Sequence, residues 1–448
     1  MSTRRGSAKP SGMFSSLYFR DFRLLWFGNI AATFAMQMQM VARGWLIYDM
    51  TASPMALTWV MLSFMLPSVL FSLVGGVIAD RLRKRSIMIV AGLMNTLATA
   101  LLAAIVYSGN VAFWDFIYFG VFNGTVLALS MPARASVTPE IVGREQVVNA
   151  MALQSATFNL ARIVGPTVAG GLIALFAAGD TSSAEGVGIV FFAVGGLYLA
   201  SVLCTALLHY QGKPHHEGKS PVEDVIEGFR FMREDRIVLG LLIMGFVPMT
   251  FGFSVTFLMP AFNADVIHGG PETLGLLMTG AGVGALGGSL LLARAGDIGR
   301  KGRVIFYAGY LWALFVGAFA LSSNLTAALI FGASTGLVGA VMGSLNMSLV
   351  QIALPDQIRG RVMSIMMMAT GFMPIGIMPV SAVAEQYGID LALLLAAVLL
   401  GVSLLIIRLW IPQLVRIDRG HEGVLAPVSA GSVAATPLAA DEKPEAAG

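Results

Sequence analysis

The chain has 448 residues, 56% of them hydrophobic and only 12% charged, with a mean hydropathy of +0.79 and a formal net charge of +3. A soluble protein cannot keep that much apolar surface from water, so the composition excludes a soluble enzyme, a disordered chain and a disulfide-rich secreted domain. Long apolar runs also disfavour an outer-membrane barrel, whose strands alternate apolar and polar residues.

Roughly 250 apolar residues at about 20 per membrane crossing allow about twelve helices. In chain order these are expected near 24–48, 55–79, 86–107, 112–133, 148–178, 187–209, 237–262, 272–294, 303–321, 325–353, 361–384 and 391–411. Residues 1–23, before the first helix, are basic and polar with no apolar core, unlike a secretory signal. Cys204, the single cysteine, lies in an apolar run and can form neither an internal disulfide nor a thiol metal site.

Lys and Arg positions orient the helices, because cytoplasmic loops collect them. Twenty-six of the 28 fall before the first helix or in loops after even-numbered helices, such as Arg81, Arg83, Lys84 and Arg85 after the second. The opposite loops carry only acids: Asp49, Asp180, Glu185, Asp265, Glu272, Glu385 and Asp390. Both termini of this multi-pass membrane protein are therefore expected in the cytoplasm. The pI near 9.0 reflects this loop charge and not an affinity for nucleic acid.

The expected organisation is a cytoplasmic segment 1–23, a six-helix bundle 24–209, a cytoplasmic linker 210–236, a second six-helix bundle 237–411 and a disordered cytoplasmic tail 412–448. In the linker, Ser220-Pro-Val-Glu223 forms a capping box, and Val222, Val225, Ile226 and Phe229 follow at amphipathic helical spacing. That helix reads as a strap along the inner membrane face or as a partner-binding element. The halves repeat: Asp80 and Asp297, like Lys84 and Lys301, stand 217 residues apart. Two six-helix halves in a parallel repeat are the plan of one transporter class.

The segment Gly76-Val-Ile-Ala-Asp80-Arg81-Leu-Arg-Lys84-Arg85 resembles the loop signature of the major facilitator superfamily, with Arg83 in place of its second glycine. Three stretches resemble the enterobactin-exporter-like and macrolide-efflux-like bacterial branch. They are Gln39–Tyr48, Phe158–Pro166 and Pro355–Ser364. The resemblance implies an all-α secondary transporter with twelve membrane helices, working by alternating access, and points to export coupled to proton entry. It places Gly76, Asp80, Arg81, Arg85 and the repeated Asp297 at a cytoplasmic gate. An acid in a basic loop does nothing for topology, whereas Arg83, Lys84 and Arg85 also have a simple topogenic reading. Gly165-Pro166-Thr-Val-Ala-Gly170-Gly171 is similar to the antiporter signature Gly-Pro-x-x-Gly-Gly, with one extra residue. Gly280, Gly284 and Gly288 recur every four residues in the eighth helix, which in this family meets the fifth. The six positions Gly165, Pro166, Gly170, Gly280, Gly284 and Gly288 read as a sliding contact between halves or as ordinary tight packing.

Polar residues within a span are costly and are functional candidates. Asn29, Thr33, Met36, Met40 and Arg43 fall on one face of the first helix, flanked by Gln37. Asp115 enters the fourth helix at a similar depth to Arg43. A structural clamp between the two, a substrate or proton role, and no contact all stay open. Asn123 lies midway along the fourth helix, and Ser155, Asn159, Arg162 and Pro166 share a face of the fifth. No acid sits at mid-membrane, which leaves Asp115 as the local proton candidate. The 26 methionines suit either a cavity for varied apolar ligands or filler packing.

Gly218-Lys219-Ser220 lacks the glycine and preceding strand of a phosphate loop, which argues against an ATP-driven pump. No His, Cys or acid cluster suggests a membrane enzyme, a metal site or a cofactor. The expected function is export of a small amphipathic molecule, such as a siderophore, macrolide or other drug. The alternative is a lysophospholipid flippase or an importer on the same scaffold. The expected partners are that molecule, protons and the lipid bilayer, with the chain a monomer.

Overall fold

The computed structural model describes residues 12, 14–177, 184–210, 212, 230, 235–296, 298–354 and 356–417. The expected linker helix after Ser220, the tail beyond 417 and Asp297 lie outside the described residues, as does the side chain of Asp80.

Among the described residues fourteen α-helical segments follow in order. They are α1 Arg20–Thr51, α2 Pro54–Leu70, α3 Ser72–Arg81, α4 Lys84–Tyr107, α5 Phe113–Gly143, α6 Glu145–Phe176 and α7 Ala184–Ala206. Then come α8 Arg236–Phe262, α9 Pro271–Ala295, α10 Lys301–Ala320, α11 Leu325–Ala353, α12 Asp356–Thr370, α13 Met373–Tyr387 and α14 Ile389–Trp410. There is no strand among the described residues. Ten helices are long and apolar enough to cross a membrane. Neither α1 nor α2 is among them. The polar stripe of α1 lowers its hydropathy, and α2 is only 17 residues long.

Several expected boundaries move. The second helix, expected unbroken over 55–79, is interrupted at Phe71, four residues after Pro67. Pro67 offers no N–H to the Ser63 carbonyl one turn earlier, which loosens the helix ahead of the break. The eleventh, expected over 361–384, is interrupted at Gly371 and Phe372, just before Pro374. The loop expected between 133 and 148 is instead helical. Its chain bends at Gly143, the last residue of α5, which holds φ +72° and ψ 169°. A residue with a Cβ is strained at that φ.

The helices pack largely within two groups, α1–α7 and α8–α14, which meet along α6–α9 and α2–α13. One end of the bundle carries the acidic turns and the other the basic ones. At the basic end Glu140 accepts from both Lys84 and Tyr210, and Asp21 accepts from the backbone N–H of Tyr210 at 2.8 Å. Burial and the hydrogen bond to Glu140 raise the Tyr210 hydroxyl above the ordinary tyrosine range. Lys84 is thus held in a specific pair beyond its topogenic charge. Arg85 donates to the Ala206 carbonyl.

At the acidic end the two groups are hydrogen-bonded to each other. Tyr48 on α1 donates to Asp265 Oδ2 at 2.5 Å, and these residues are 217 apart, the offset of the sequence repeat. Glu385 on α13 accepts from Ser53 Oγ at 2.7 Å and from the Met55 N–H at 3.2 Å. Deeper in, the hydroxyls of Thr58 and Ser381 are 2.7 Å apart. Among the described residues no comparable packing joins α3 to α12 at the basic end.

Candidate functional site

The polar stripe of α1 opens onto a cavity of about 410 Å³. Asn29, Thr33, Gln37 and Arg43 line it from α1, Met61 and Phe64 from α2, Asn95 from α4, Asn123 and Arg134 from α5 and Tyr198 from α7. From Asn29 to Arg43 this lining runs about 20 Å along α1 at 1.5 Å per residue. Asn123 donates to Asn95, and Tyr198 donates to Gln39 Oε1 at 3.3 Å, while Gln39 Nε2 is buried without a partner. The Arg43 guanidinium lies 5.9 Å from the centre of the Phe64 ring, a cation–π distance.

Asp115 is not among the lining residues. Its Oδ2 accepts from the Ala112 N–H at 2.8 Å, capping the first turn of α5. No ion pair joins it to Arg43 among the described residues. The clamp fails because an acid three residues into a helix satisfies that helix's own free N–H groups.

Arg162 projects from α6 into a second cavity, of about 260 Å³, lined otherwise by α8–α11 residues such as Phe253, Trp312 and Ser344. A small space of about 40 Å³ borders both. It shares Met40, Arg43, Met61 and Phe257 with the first cavity and Thr256 with the second. Asn159 stays outside both, its amide donating to the Ser155 carbonyl at 2.9 Å.

Glycines on α9 serve two neighbours. A Cβ on Gly284 would fall 1.8 Å from the Ala333 carbonyl oxygen of α11, and one on Gly288 2.2 Å from that of Leu337. Gly280 also faces α11, at Leu329. The stripe expected to meet the fifth helix thus packs within its own group. The residues of α9 that do meet α6 are Gly275, Thr279 and Gly282. Thr279 donates to the Ile163 carbonyl at 2.7 Å and lies 2.5 Å from the Thr167 hydroxyl. Gly170 closes on Pro271, and the Pro166 carbonyl on Gly275, across the groups, whereas Gly165 closes on Gln37 of α1. A four-residue repeat marks a close contact but does not name the neighbour.

Gly76 faces open space near the basic end of α3, and Arg81 ends that helix. Arg134 is the residue the sequence reading missed. Taken as a loop cation, it continues the Asn123 face of α5 through Leu127 and Ser130, at helical steps of four, three and four. That periodicity was the signal. Pro132 obscured it by suggesting a helix end.

The family described as transmembrane secretion effector matches residues 11–424. The chain is 27% identical over 332 residues to the staphyloferrin A transporter of Staphylococcus aureus, covering 72% of this chain and 80% of that protein. It is 26% identical over 296 residues to the enterobactin exporter EntS of Escherichia coli O81, covering 65% and 67%. Its fold is similar to a variant of the nucleoside transporter NupG, at a TM-score of 0.66 and 14% identity, covering 87% of this chain and 99% of that one. It is also similar to a bacterial homologue of the human lysosomal transporter Spinster in an inward-facing and occupied conformation, at 0.66 and 14%, covering 89% and 97%.

Proposed function

The chain belongs to the transmembrane secretion effector family of major facilitator transporters, and from that premise we propose that it exports a small amphipathic, siderophore-like molecule across the bacterial inner membrane by alternating access. In this reading α1 and the broken α2–α3 join the ten apolar helices to give twelve spans, six on each side of the linker 210–236. The positive-inside rule puts the basic end in the cytoplasm. The observation that carries the reading is the pair of arginine-bearing cavities, one walled by α1–α7 with Phe257 and the other by α8–α11 with Arg162, in two helix groups that Tyr48–Asp265 and Ser53–Glu385 tie together at the acidic end. The state described here is then closed outward and open inward. Gly76, Asp80, Arg81, Arg85 and Asp297 form the cytoplasmic gate of the opposite state, and the Gly170–Pro271 and Thr279–Ile163 contacts are the surface on which the groups rock. Siderophore-like cargo is supported by the two relatives named for siderophores.

Proton drive is part of the same proposal. No carboxylate lines the three cavities. Among the acids of the outer turns, Asp265 and Glu385 bond across the two helix groups, and we assign proton entry to them ahead of Asp115, a capping group.

Inside-out vesicles acidified within test the export reading. They are expected to take up a radiolabelled polycarboxylate siderophore several-fold faster than vesicles lacking the protein, and a protonophore is expected to remove the difference. Transport of labelled lysophospholipid in place of the siderophore would replace this reading by the flippase alternative.

A further inference from the structure

Resting on the transporter reading of the same cavities, we infer that the cargo is an anionic amphiphile whose negative group is held between Arg43 and Arg134. Two cations, Arg43 and Arg134, line the main cavity together with Tyr198. Neither has a carboxylate within ion-pair distance among the described residues, and no Asp or Glu lines this cavity or the two beside it. An unpaired cation inside a membrane protein is expensive and calls for a counter-charge or a wet cavity. A structural cation would be matched from within the fold, as Lys84 is by Glu140. Among the described residues Arg43 and Arg134 have no such match, and both line the cavity offered to cargo.

The arginines divide the work by position. Arg43 has one face against Phe64 and is held in place by it. Arg134, with no such partner, sits nearer the basic end, at the entrance of the inward-open state. It makes the first charged contact and discriminates between acids and neutral molecules. The rest of the wall suits the apolar part of such a cargo: Met36, Met40, Met61 and Met65 are flexible thioethers that adapt to varied shapes. Arg162 in the adjoining cavity offers a second anionic contact to a longer cargo, again without an acid beside it. A guanidinium can take a carboxylate or a phosphate in a two-pronged hydrogen bond. The chemistry therefore covers polycarboxylates and phosphate-bearing lysolipids, and excludes cationic drugs.

The test is equilibrium binding to the purified full-length protein in neutral detergent. An alkyl-tethered citrate is compared with its methyl ester, and lysophosphatidic acid with lysophosphatidylcholine. The citrate amphiphile is expected to bind at least about tenfold more tightly than its ester, with an affinity that falls as KCl rises, while ester binding stays flat. Arg134→Gln is expected to lower citrate affinity about tenfold and leave ester binding unchanged, and Arg134→Lys is expected to retain part of the preference. Equal binding of acid and ester, or an acid affinity indifferent to salt in the unmodified protein, overturns the inference even where Arg134→Gln does not fold. Preferential binding of lysophosphatidic acid over the citrate identifies the anion as a lipid phosphate, and a preference for lysophosphatidylcholine over lysophosphatidic acid overturns the anionic class. These readouts do not depend on transport, so a failure of the vesicle experiment leaves them standing.

Discussion

Gly284→Val is expected to abolish stable insertion of the protein, at a cost of about 3 kcal/mol or more. The β-carbon alone would fall 1.8 Å from the Ala333 carbonyl oxygen and 2.6 Å from its carbon, on the backbone of α11, where no side chain can rotate away. The seam is reciprocal, because a Cβ on Gly336 of α11 would fall 2.0 Å from the Ala281 carbonyl oxygen of α9. The two helices would have to separate along their whole contact and lose the close packing on which helix association in lipid depends. Gly287 provides the control. It is on the same helix with nothing within 4 Å of its would-be Cβ, so Gly287→Ala is expected to be neutral or to stabilise by roughly 0.5–1 kcal/mol. Membrane levels and thermal unfolding in detergent read both, and equal behaviour of the two variants would refute the seam.

Glu385→Gln is expected to open the acidic end. The carboxylate accepts Ser53 Oγ and the Met55 N–H at the start of α2, where the helix dipole favours a negative charge. Hydrogen bonds to a charged group contribute about 1.5–3 kcal/mol, so removing the charge shifts the equilibrium toward the open form by roughly 10- to 100-fold. Met61→Cys in a Cys204→Ser background reports the opening through labelling by an impermeant maleimide from the acidic side. Glu385→Gln is expected to label faster than the otherwise unmodified protein. Asp265→Asn tests the Tyr48 contact in the same assay and is expected to shift labelling in the same direction. Labelling of Glu385→Gln no faster than that of the otherwise unmodified protein would show that its carboxylate does not hold the ends together.

The membrane class, the family and the α1 lining were legible in the sequence for one physical reason. Polar groups in an apolar helix stand out, and their spacing tells which of them share a face. Arg134 was hidden because charge near a helix end serves topology as well as binding, and a proline at 132 mimics a terminus while the helix runs on to Gly143. Asp115 misled because depth along a helix says nothing about the free N–H groups of its own first turn. The α9 glycines announced a close contact without naming its partner, since residues 275, 279 and 282 face one helix and 280, 284 and 288 another. Glu385 and Asp265 were read as loop acids. Their bonds to the other helix group depend on tertiary approach, although the 217-residue separation of Tyr48 and Asp265 was already present in the repeat.

Alternating access requires the acidic end to open and close in every cycle. The hydroxyls of Thr58 and Ser381 are 2.7 Å apart across the two groups, so paired cysteines at these positions are within reach of a disulfide. In a Cys204→Ser background, Thr58→Cys with Ser381→Cys is expected to transport a radiolabelled polycarboxylate siderophore into inside-out vesicles when reduced. It is expected to stop when oxidised and to recover fully on adding dithiothreitol. A fully cross-linked protein that transports at the reduced rate would contradict the account.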